Sequence, residues 1–133
     1  MPFGYHLMLE LYNCNLERIT SYDVCMSYLN TLPDIIGTHR QSPPFLVRTD
    51  GGRYPDKAGF SGWIPVVESG FSLHTIEPAR FVSIDIYTCK ELTDEILKKV
   101  KKYTLETFQP SEFEEKFVLR GEKYIGPPGI FKK

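Results

Sequence analysis

The chain has 133 residues, 41% of them hydrophobic and 14% aromatic, which predicts one compact domain over residues 1–133. Its 16 Lys and Arg nearly balance 17 Asp and Glu, so charge gives no reason to expect a nucleic acid or an anionic membrane as partner. The N-terminus lacks a signal-peptide pattern, and no stretch approaches the roughly 18 apolar residues of a membrane span. We therefore expect a soluble, cytoplasmic protein that binds a small molecule or another protein.

The first predicted elements are a strand and a helix. Residues 5–12 are almost continuously apolar, which favours a mostly buried strand. Ser21 is expected to cap a helix in which apolar residues recur every fourth position from Val24 to Leu32, and Pro33 is expected to end it. Such a helix should pack on a sheet.

The middle of the chain predicts irregular structure followed by several strands. Residues 38–59 are rich in Pro, Gly and charge, with one short strand candidate over residues 45–48. Antiparallel pairing is the simplest arrangement of the strand-like runs that follow. These runs are Ser61–Glu68, Phe71–Ile76 and Arg80–Cys89.

The last third predicts a second helix and a final strand. Thr93 is expected to cap a helix with one apolar face and a solvated lysine-rich face, and residues 116–120 to form a strand before an irregular tail over residues 121–133. The fold class is therefore α+β, a two-layer sandwich of a mainly antiparallel sheet with both helices on one face. Because the other sheet face also needs cover, we expect a homodimer.

Residues able to carry chemistry lie close together in the sequence. Glu68 and Ser69 precede His74, Ser61 lies eight residues before Ser69, and Cys89 ends the next strand. Taken alone, these residues also suit ordinary structural roles, since a cysteine at a strand end often packs as a small hydrophobe. The three cysteines of the chain contain no CxxC pair, so neither a disulfide framework nor a metal site is expected.

The order of these residues resembles the prokaryotic S-adenosylmethionine decarboxylase family. The family's self-cleavage segment reads Glu-Ser-His-x-Ser-Ile-His-Thr, and residues 68–75 read Glu-Ser-Gly-Phe-Ser-Leu-His-Thr. The similarity continues without a gap through residues 84–89, backward through residues 59–62, and includes Gly-Tyr-His at residues 4–6. It covers the first strand and residues 59–89 well, and the rest only in layout.

The resemblance implies that the chain makes its own cofactor. Ser69 would attack the carbonyl of Glu68, the chain would be cleaved between them, and residue 69 would become a covalent pyruvoyl group. That group forms a Schiff base with an amine substrate and acts as an electron sink for decarboxylation, with no metal or diffusible cofactor. Ser61 and His74 match the family's processing residues and Cys89 its proton donor. The family also implies a homodimer of cleaved protomers, with both chains contributing to sites near the interface.

The sequence departs from the family pattern beside the serine and in the substrate pocket. Gly70 stands where the family has His, which relaxes the backbone but removes a nearby polar group. Residues 49–55 and 76–78 lack the aromatic and histidine-rich stretch and the Trp-Pro-Glu run that help to form the family's nucleoside pocket. Carboxylates that would suit a basic substrate lie in or near these segments: Asp50, Asp56 and Glu77.

Three functions remain open at this stage. One is S-adenosylmethionine decarboxylation for spermidine and polyamine biosynthesis, another is decarboxylation of arginine or ornithine, and the third is an unprocessed, non-catalytic homologue. The remaining histidines and cysteines are assigned structural roles. Cys14 and Cys25 are expected in the core, His39 in a surface loop, and His6 outside the catalytic set.

Overall fold

The computed structural model describes residues 1–126 and contains one six-stranded sheet with helices packed on one face. All neighbouring strands are antiparallel, in the order β2-β3-β4-β5-β1-β6. The strands are β1 Gly4–Tyr12, β2 Phe45–Thr49, β3 Gly59–Val66, β4 Ser69–Ile76, β5 Phe81–Thr88 and β6 Glu112–Arg120. The helices are α1 Leu16–Ile19, α2 Tyr22–Ile36 and α3 Asp94–Phe108, with a 3-10 turn over Glu77–Ala79. The predicted fold class is confirmed.

Helix α2 begins where the sequence predicts but ends later. The Ser21 hydroxyl accepts a hydrogen bond of 3.1 Å from the Val24 N–H, which confirms the cap. The prediction that Pro33 ends the helix is wrong, because α2 runs on to Ile36 and stops at Gly37 in a left-handed conformation. The carbonyl of Pro33 accepts N–H groups of Gly37 and Thr38, so the proline takes part in the last turn as an acceptor.

The core lies between the sheet and helices α2 and α3. Alternate residues of β1 are fully buried and face the helices, and they pack with apolar residues of both. Tyr28 of α2 and Thr104 of α3 share a buried hydrogen bond of 2.7 Å, which joins the two helices. The residues that share this core include Leu7, Leu9, Leu11, Leu29, Phe71 and Phe108.

The opposite face of the sheet carries polar side chains that remain partly exposed. On this face, His6 of β1 bonds to Asp85 of β5 at 2.8 Å, and Ser83 donates to Glu10 at 2.6 Å. This is the sheet face that a second protomer would cover in the homodimer expected from the sequence.

Two further elements differ from the sequence-based expectation. The short helix α1 was not predicted, and β6 begins at Glu112 rather than Lys116. Within residues 1–126, strand β6 pairs only with β1, and every one of its residues is exposed, so its hydrophobic pattern is weak. Of the helices in the described part of the chain, none has the length and apolar character needed to cross a bilayer.

Candidate active site

The candidate site is built on a tight turn between two central strands. Val66 at the end of β3 pairs with Ser69 at the start of β4, so only Val67 and Glu68 connect them. Ser69 has φ 138°, a conformation that side-chain-bearing residues rarely adopt. Holding such a residue there costs on the order of 1–3 kcal/mol, and strain of this kind concentrates at functional sites. The strain lies at the residue predicted to attack the chain.

The carbonyl group that this serine would attack is held by a backbone donor. Ser69 pairs with Thr88, the last residue of β5, which brings the next residue beside the turn. The N–H of Cys89 donates a hydrogen bond of 2.7 Å to the carbonyl oxygen of Glu68. A donor in this position polarises the carbonyl and can stabilise negative charge that develops on its oxygen.

The side chain of Cys89 is exposed and lines an open cavity of about 560 Å³. Phe3 and Tyr124 form part of the wall, with their ring centroids 4.9 Å apart in an edge-to-face arrangement. The described residues that line the cavity include no acidic or basic side chain. The thiol therefore faces an apolar and aromatic surface.

The two predicted processing residues lie together, but at the other end of the strand pair. Ser61 of β3 is directly opposite His74 of β4, on the sheet face that the helices do not cover. His74 is exposed, and it lies five positions after Ser69, a distance of roughly 16 Å along a strand. The chain therefore brings Ser69 to Cys89 and Ser61 to His74, but does not bring these two pairs together within one protomer.

Gly70 has a steric role that differs from the predicted relaxation of the backbone. The positive φ belongs to Ser69 rather than to Gly70. A Cβ added at Gly70 would lie 2.5 Å from Nε1 and 3.1 Å from Cε2 of Trp63. The glycine therefore leaves room for the indole of Trp63, at the position where the family has a histidine.

His39 lies at the surface as predicted, but it also contacts the candidate site. Its Nδ1 lies 2.7 Å from one carboxylate oxygen of Glu68, and its backbone N–H donates to the other at 3.0 Å. Partial burial alone would raise the pKa of Glu68, but these hydrogen bonds outweigh it and hold that pKa below its usual range. Sequence reasoning missed the contact because 29 residues separate the partners and no motif links them.

The remaining cysteines lie where the sequence predicts. Cys14 and Cys25 are 1% and 0% exposed, within the core. Burial raises the pKa of Cys14 to about 11, and burial together with the charge of Glu77 raises that of Cys25 to about 12. Both thiols stay protonated near neutral pH and serve as small packing groups.

Each of the three carboxylates noted in the divergent segments has a partner within the chain. Asp50 accepts the N–H of Gly52 at 2.9 Å and so stabilises its own turn, and Asp56 lies 3.8 Å from the ammonium of Lys57. The Arg48 guanidinium binds Glu77 through both carboxylate oxygens. Asp50 and Glu77 therefore have local structural roles, whereas Asp56 and Lys57 form only an exposed surface pair.

Comparison with known proteins identifies the class of fold and then the family. The crystal structure of the adenosylmethionine decarboxylase from Aquifex aeolicus VF5 superposes with a TM-score of 0.75, covering 95% of this chain and 98% of that chain, at 17% sequence identity. This match places the chain in the same α+β fold class. The sequence profile of the S-adenosylmethionine decarboxylase family matches residues 5–121. The chain belongs to the S-adenosylmethionine decarboxylase family, a family of carboxy-lyases.

Curated relatives agree with this assignment. An S-adenosylmethionine decarboxylase proenzyme from Clostridium botulinum is 28% identical over 119 residues, covering 90% of this chain and 95% of that protein. A protein of the same name from Sulfurihydrogenibium sp. is 27% identical over 129 residues, covering 96% and 89%. The similarity therefore extends along nearly the whole of each protein.

Proposed function

We propose that this chain is a self-cleaving, pyruvoyl-dependent S-adenosylmethionine decarboxylase that acts as a homodimer in polyamine biosynthesis. The observation that carries the proposal is the strained Ser69 at a two-residue turn, preceded by a carbonyl group that is bonded to the Cys89 N–H at 2.7 Å. Membership of the family supplies the chemical context for this geometry.

Self-cleavage begins at the strained turn. The Ser69 Oγ attacks the carbonyl carbon of Glu68, the C–N bond between the residues breaks, and the freed amine takes up the proton that the hydroxyl loses. The backbone N–H of Cys89 stabilises the oxyanion formed during this shift. Loss of the Cα proton of residue 69 then expels the Glu68 carboxylate and leaves dehydroalanine, whose enamine takes up water and releases ammonia to give the pyruvoyl group.

The strained Ser69 and the hydrogen-bonded carbonyl of Glu68 support the formation of a pyruvoyl group at position 69. When formed, this group supplies a ketone that binds the substrate amine and withdraws the electrons released with carbon dioxide. The thiol of Cys89, at the cavity wall, is the proton donor to the former α-carbon. The same residue thus assists cleavage through its backbone and turnover through its side chain.

The separation of Ser61 and His74 from Ser69 supports a dimeric site. Both residues lie on the uncovered sheet face, so a second protomer that packs on this face meets them. Ser61 and His74 of the partner subunit then move the protons that cleavage requires. A twofold dimer forms two such sites, because each chain supplies one serine to be cleaved and one processing pair.

The cavity beside Cys89 offers aromatic side chains that suit a nucleoside such as that of S-adenosylmethionine. Phe3 and Tyr124 offer flat surfaces on which a purine can stack, although residues 49–55 lack the family's aromatic stretch.

Gel mobility and carbon dioxide release test this function. Purified parent protein should run as two pieces split between Glu68 and Ser69, whereas Ser69→Ala should remain one chain of 15.4 kDa and release no carbon dioxide. Ser111→Ala, which changes an exposed serine immediately before β6, serves as the matched control. Labelled S-adenosylmethionine should be decarboxylated in preference to arginine, ornithine and lysine. A parent chain that stays intact at neutral pH would contradict the proposal.

Co-expression tests the shared site. In Ser69→Ala/His74→Ala mixed dimers, the His74→Ala chain retains its own serine and receives His74 of the partner subunit. His74→Ala chains should therefore be cleaved only when they are produced together with Ser69→Ala chains. Cleavage of His74→Ala chains on their own, at the parental rate, would argue against the role of this histidine.

A further inference from the structure

The Glu68 carboxylate is hydrogen-bonded to His39, a residue distant in sequence. Both of its oxygens accept hydrogen bonds from His39, one from the backbone N–H at 3.0 Å and one from the ring Nδ1 at 2.7 Å. The Glu68 side chain is only 17% exposed, whereas that of His39 is 76% exposed. The carboxylate is therefore the sheltered partner, fixed by a ring that lies at the surface.

The residues around His39 form a strap, defined as residues 39–41, that runs along the turn. The His39 carbonyl accepts the N–H of Val67 at 2.9 Å, and the Gln41 N–H donates to the carbonyl of Pro65 at 3.0 Å. Arg40 binds Asp34 of α2 at 2.8 Å, which ties the strap to a helix. The turn is thus attached to the helical layer on the side opposite Cys89.

Glu68 is consequently held at two points. Its carbonyl oxygen is bonded to the N–H of Cys89 at 2.7 Å, and its carboxylate is bonded to His39. Acyl transfer requires the attacking oxygen and the carbonyl carbon to meet at a defined distance and angle, and fixing one partner in advance removes part of that entropic cost. An arrangement that immobilises Glu68 from both sides meets this requirement.

We infer that His39 is a positioning residue for self-cleavage, acting through the Glu68 carboxylate. The inference rests on the proposed self-cleavage and adds a residue to it. The bond that forms joins Ser69 Oγ to the Glu68 carbonyl carbon, and the bond that breaks is the peptide C–N bond. His39 gives no atom or proton to either, and it sets only the geometry in which they exchange.

The test follows cleavage over time in freshly synthesised protein. His39→Ala should slow cleavage roughly tenfold. His39→Asn should retain most of the rate, because the side-chain amide nitrogen of asparagine can take the position of Nδ1 and donate the same hydrogen bond. Gln41→Ala is the matched control, because the Gln41 side chain is exposed and the hydrogen bond of this residue to Pro65 comes from its backbone N–H, which the substitution keeps. Carbon dioxide release per cleaved chain should be unchanged in all three variants.

A double-mutant cycle separates positioning from loop stability. In a Glu68→Ala background, the change His39→Ala should have little further effect on cleavage, since the carboxylate on which it acts is gone. Equal slowing in both backgrounds, or His39→Ala cleaving at the parental rate, would overturn the inference while self-cleavage itself stands. Thermal unfolding followed by circular dichroism identifies any variant that is slow because it is misfolded, and His39→Asn then decides the matter. A parent chain that is never cleaved would overturn both the proposed function and this inference.

Discussion

The backbone N–H of Cys89 lies 2.7 Å from the carbonyl oxygen of Glu68, while the Cys89 thiol faces the cavity. One residue therefore presents two independent groups to two different parts of the site. Because the first group belongs to the main chain, substitution of the side chain leaves it in place.

Cys89→Ala should separate cleavage from turnover. The variant keeps the N–H that binds the Glu68 carbonyl, so cleavage seen on a gel should proceed within a few-fold of the parental rate. Carbon dioxide release should fall by roughly 100-fold or more, the scale of a lost general acid. Cys89→Ser provides the comparison with a much weaker acid in the same position. Equal turnover in Cys89→Ala and the parent would remove the thiol from the mechanism.

Substitution of Gly70 should disturb Trp63. An added Cβ would lie 2.5 Å from the indole nitrogen, so Gly70→Ala must displace the ring; because Trp63 is half exposed, this should lower the free energy of unfolding by about 1 kcal/mol or less. Trp63 is the single tryptophan of the chain, so its fluorescence reports the displacement directly.

A second background provides the control for this steric argument. In Trp63→Val protein, the added methyl group meets a smaller side chain, and Gly70→Ala should cost less stability than it does with the indole present. An equal cost in both backgrounds would mean that the backbone, rather than Trp63, requires glycine at this position.

Thiol reactivity should distinguish the three cysteines. Burial holds the pKa of Cys14 at about 11 and contributes to that of Cys25 at about 12, and neither side chain is accessible. Cys89 is exposed. Iodoacetamide at pH 8 should therefore label one thiol in the folded chain and three in denaturant, as counted by mass spectrometry. Labelling of Cys14 or Cys25 in the folded chain would show that the core opens on the timescale of the reaction.

The ion pair between Arg48 and Glu77 should make stability depend on pH. The hydrogen bond from Arg48 lowers the pKa of the Glu77 carboxyl, and the carboxylate oxygen Oε1 lies 2.9 Å from Nη2. The folded state therefore favours the ionised form, and this contribution is present at pH values above the unfolded pKa of about 4.3. It is lost as the pH falls through the lower, folded value.

Glu77→Gln tests this relationship. At pH 7 the variant should have a free energy of unfolding lower by up to about 1 kcal/mol, the scale of an exposed ion pair, because Arg48 is half exposed. The difference between variant and parent should shrink when urea unfolding is repeated near pH 3. A difference that stays constant from pH 7 to pH 3 would attribute the effect of the substitution to packing.

Local sequence signals were enough to predict most of the fold. The caps at Ser21 and Thr93 and the alternation of β5 depend on neighbours within a few residues, and the structure has all three. Strand β6 was predicted too short because an exposed edge strand has little hydrophobic pattern. The end of α2 was predicted too early because a proline in the last helical turn can still accept hydrogen bonds at its carbonyl, as Pro33 does from Gly37 and Thr38.

The candidate site was predictable only in part, for a different reason. Ser61, Ser69, His74 and Cys89 lie close together in the sequence, but pairing of the strands decides which of them meet. The antiparallel register places Ser61 opposite His74 and leaves Ser69 beside the end of β5. The contact between His39 and Glu68 depends on the path of a loop, which no local pattern encodes.

The strand order gives the proposed cleavage a lasting physical effect on folding. A cut after Glu68 assigns β1, β2 and β3 to one piece and β4, β5 and β6 to the other, yet β1 lies between β5 and β6. The two pieces are interleaved through shared hydrogen bonds, so separating them means breaking the sheet. Global unfolding thereby becomes a dissociation, and refolding becomes a second-order encounter between two fragments. The uncut chain folds with both halves tethered, at a rate that does not depend on protein concentration. After the cut the tether is gone, so concentration-independent folding is possible only before cleavage.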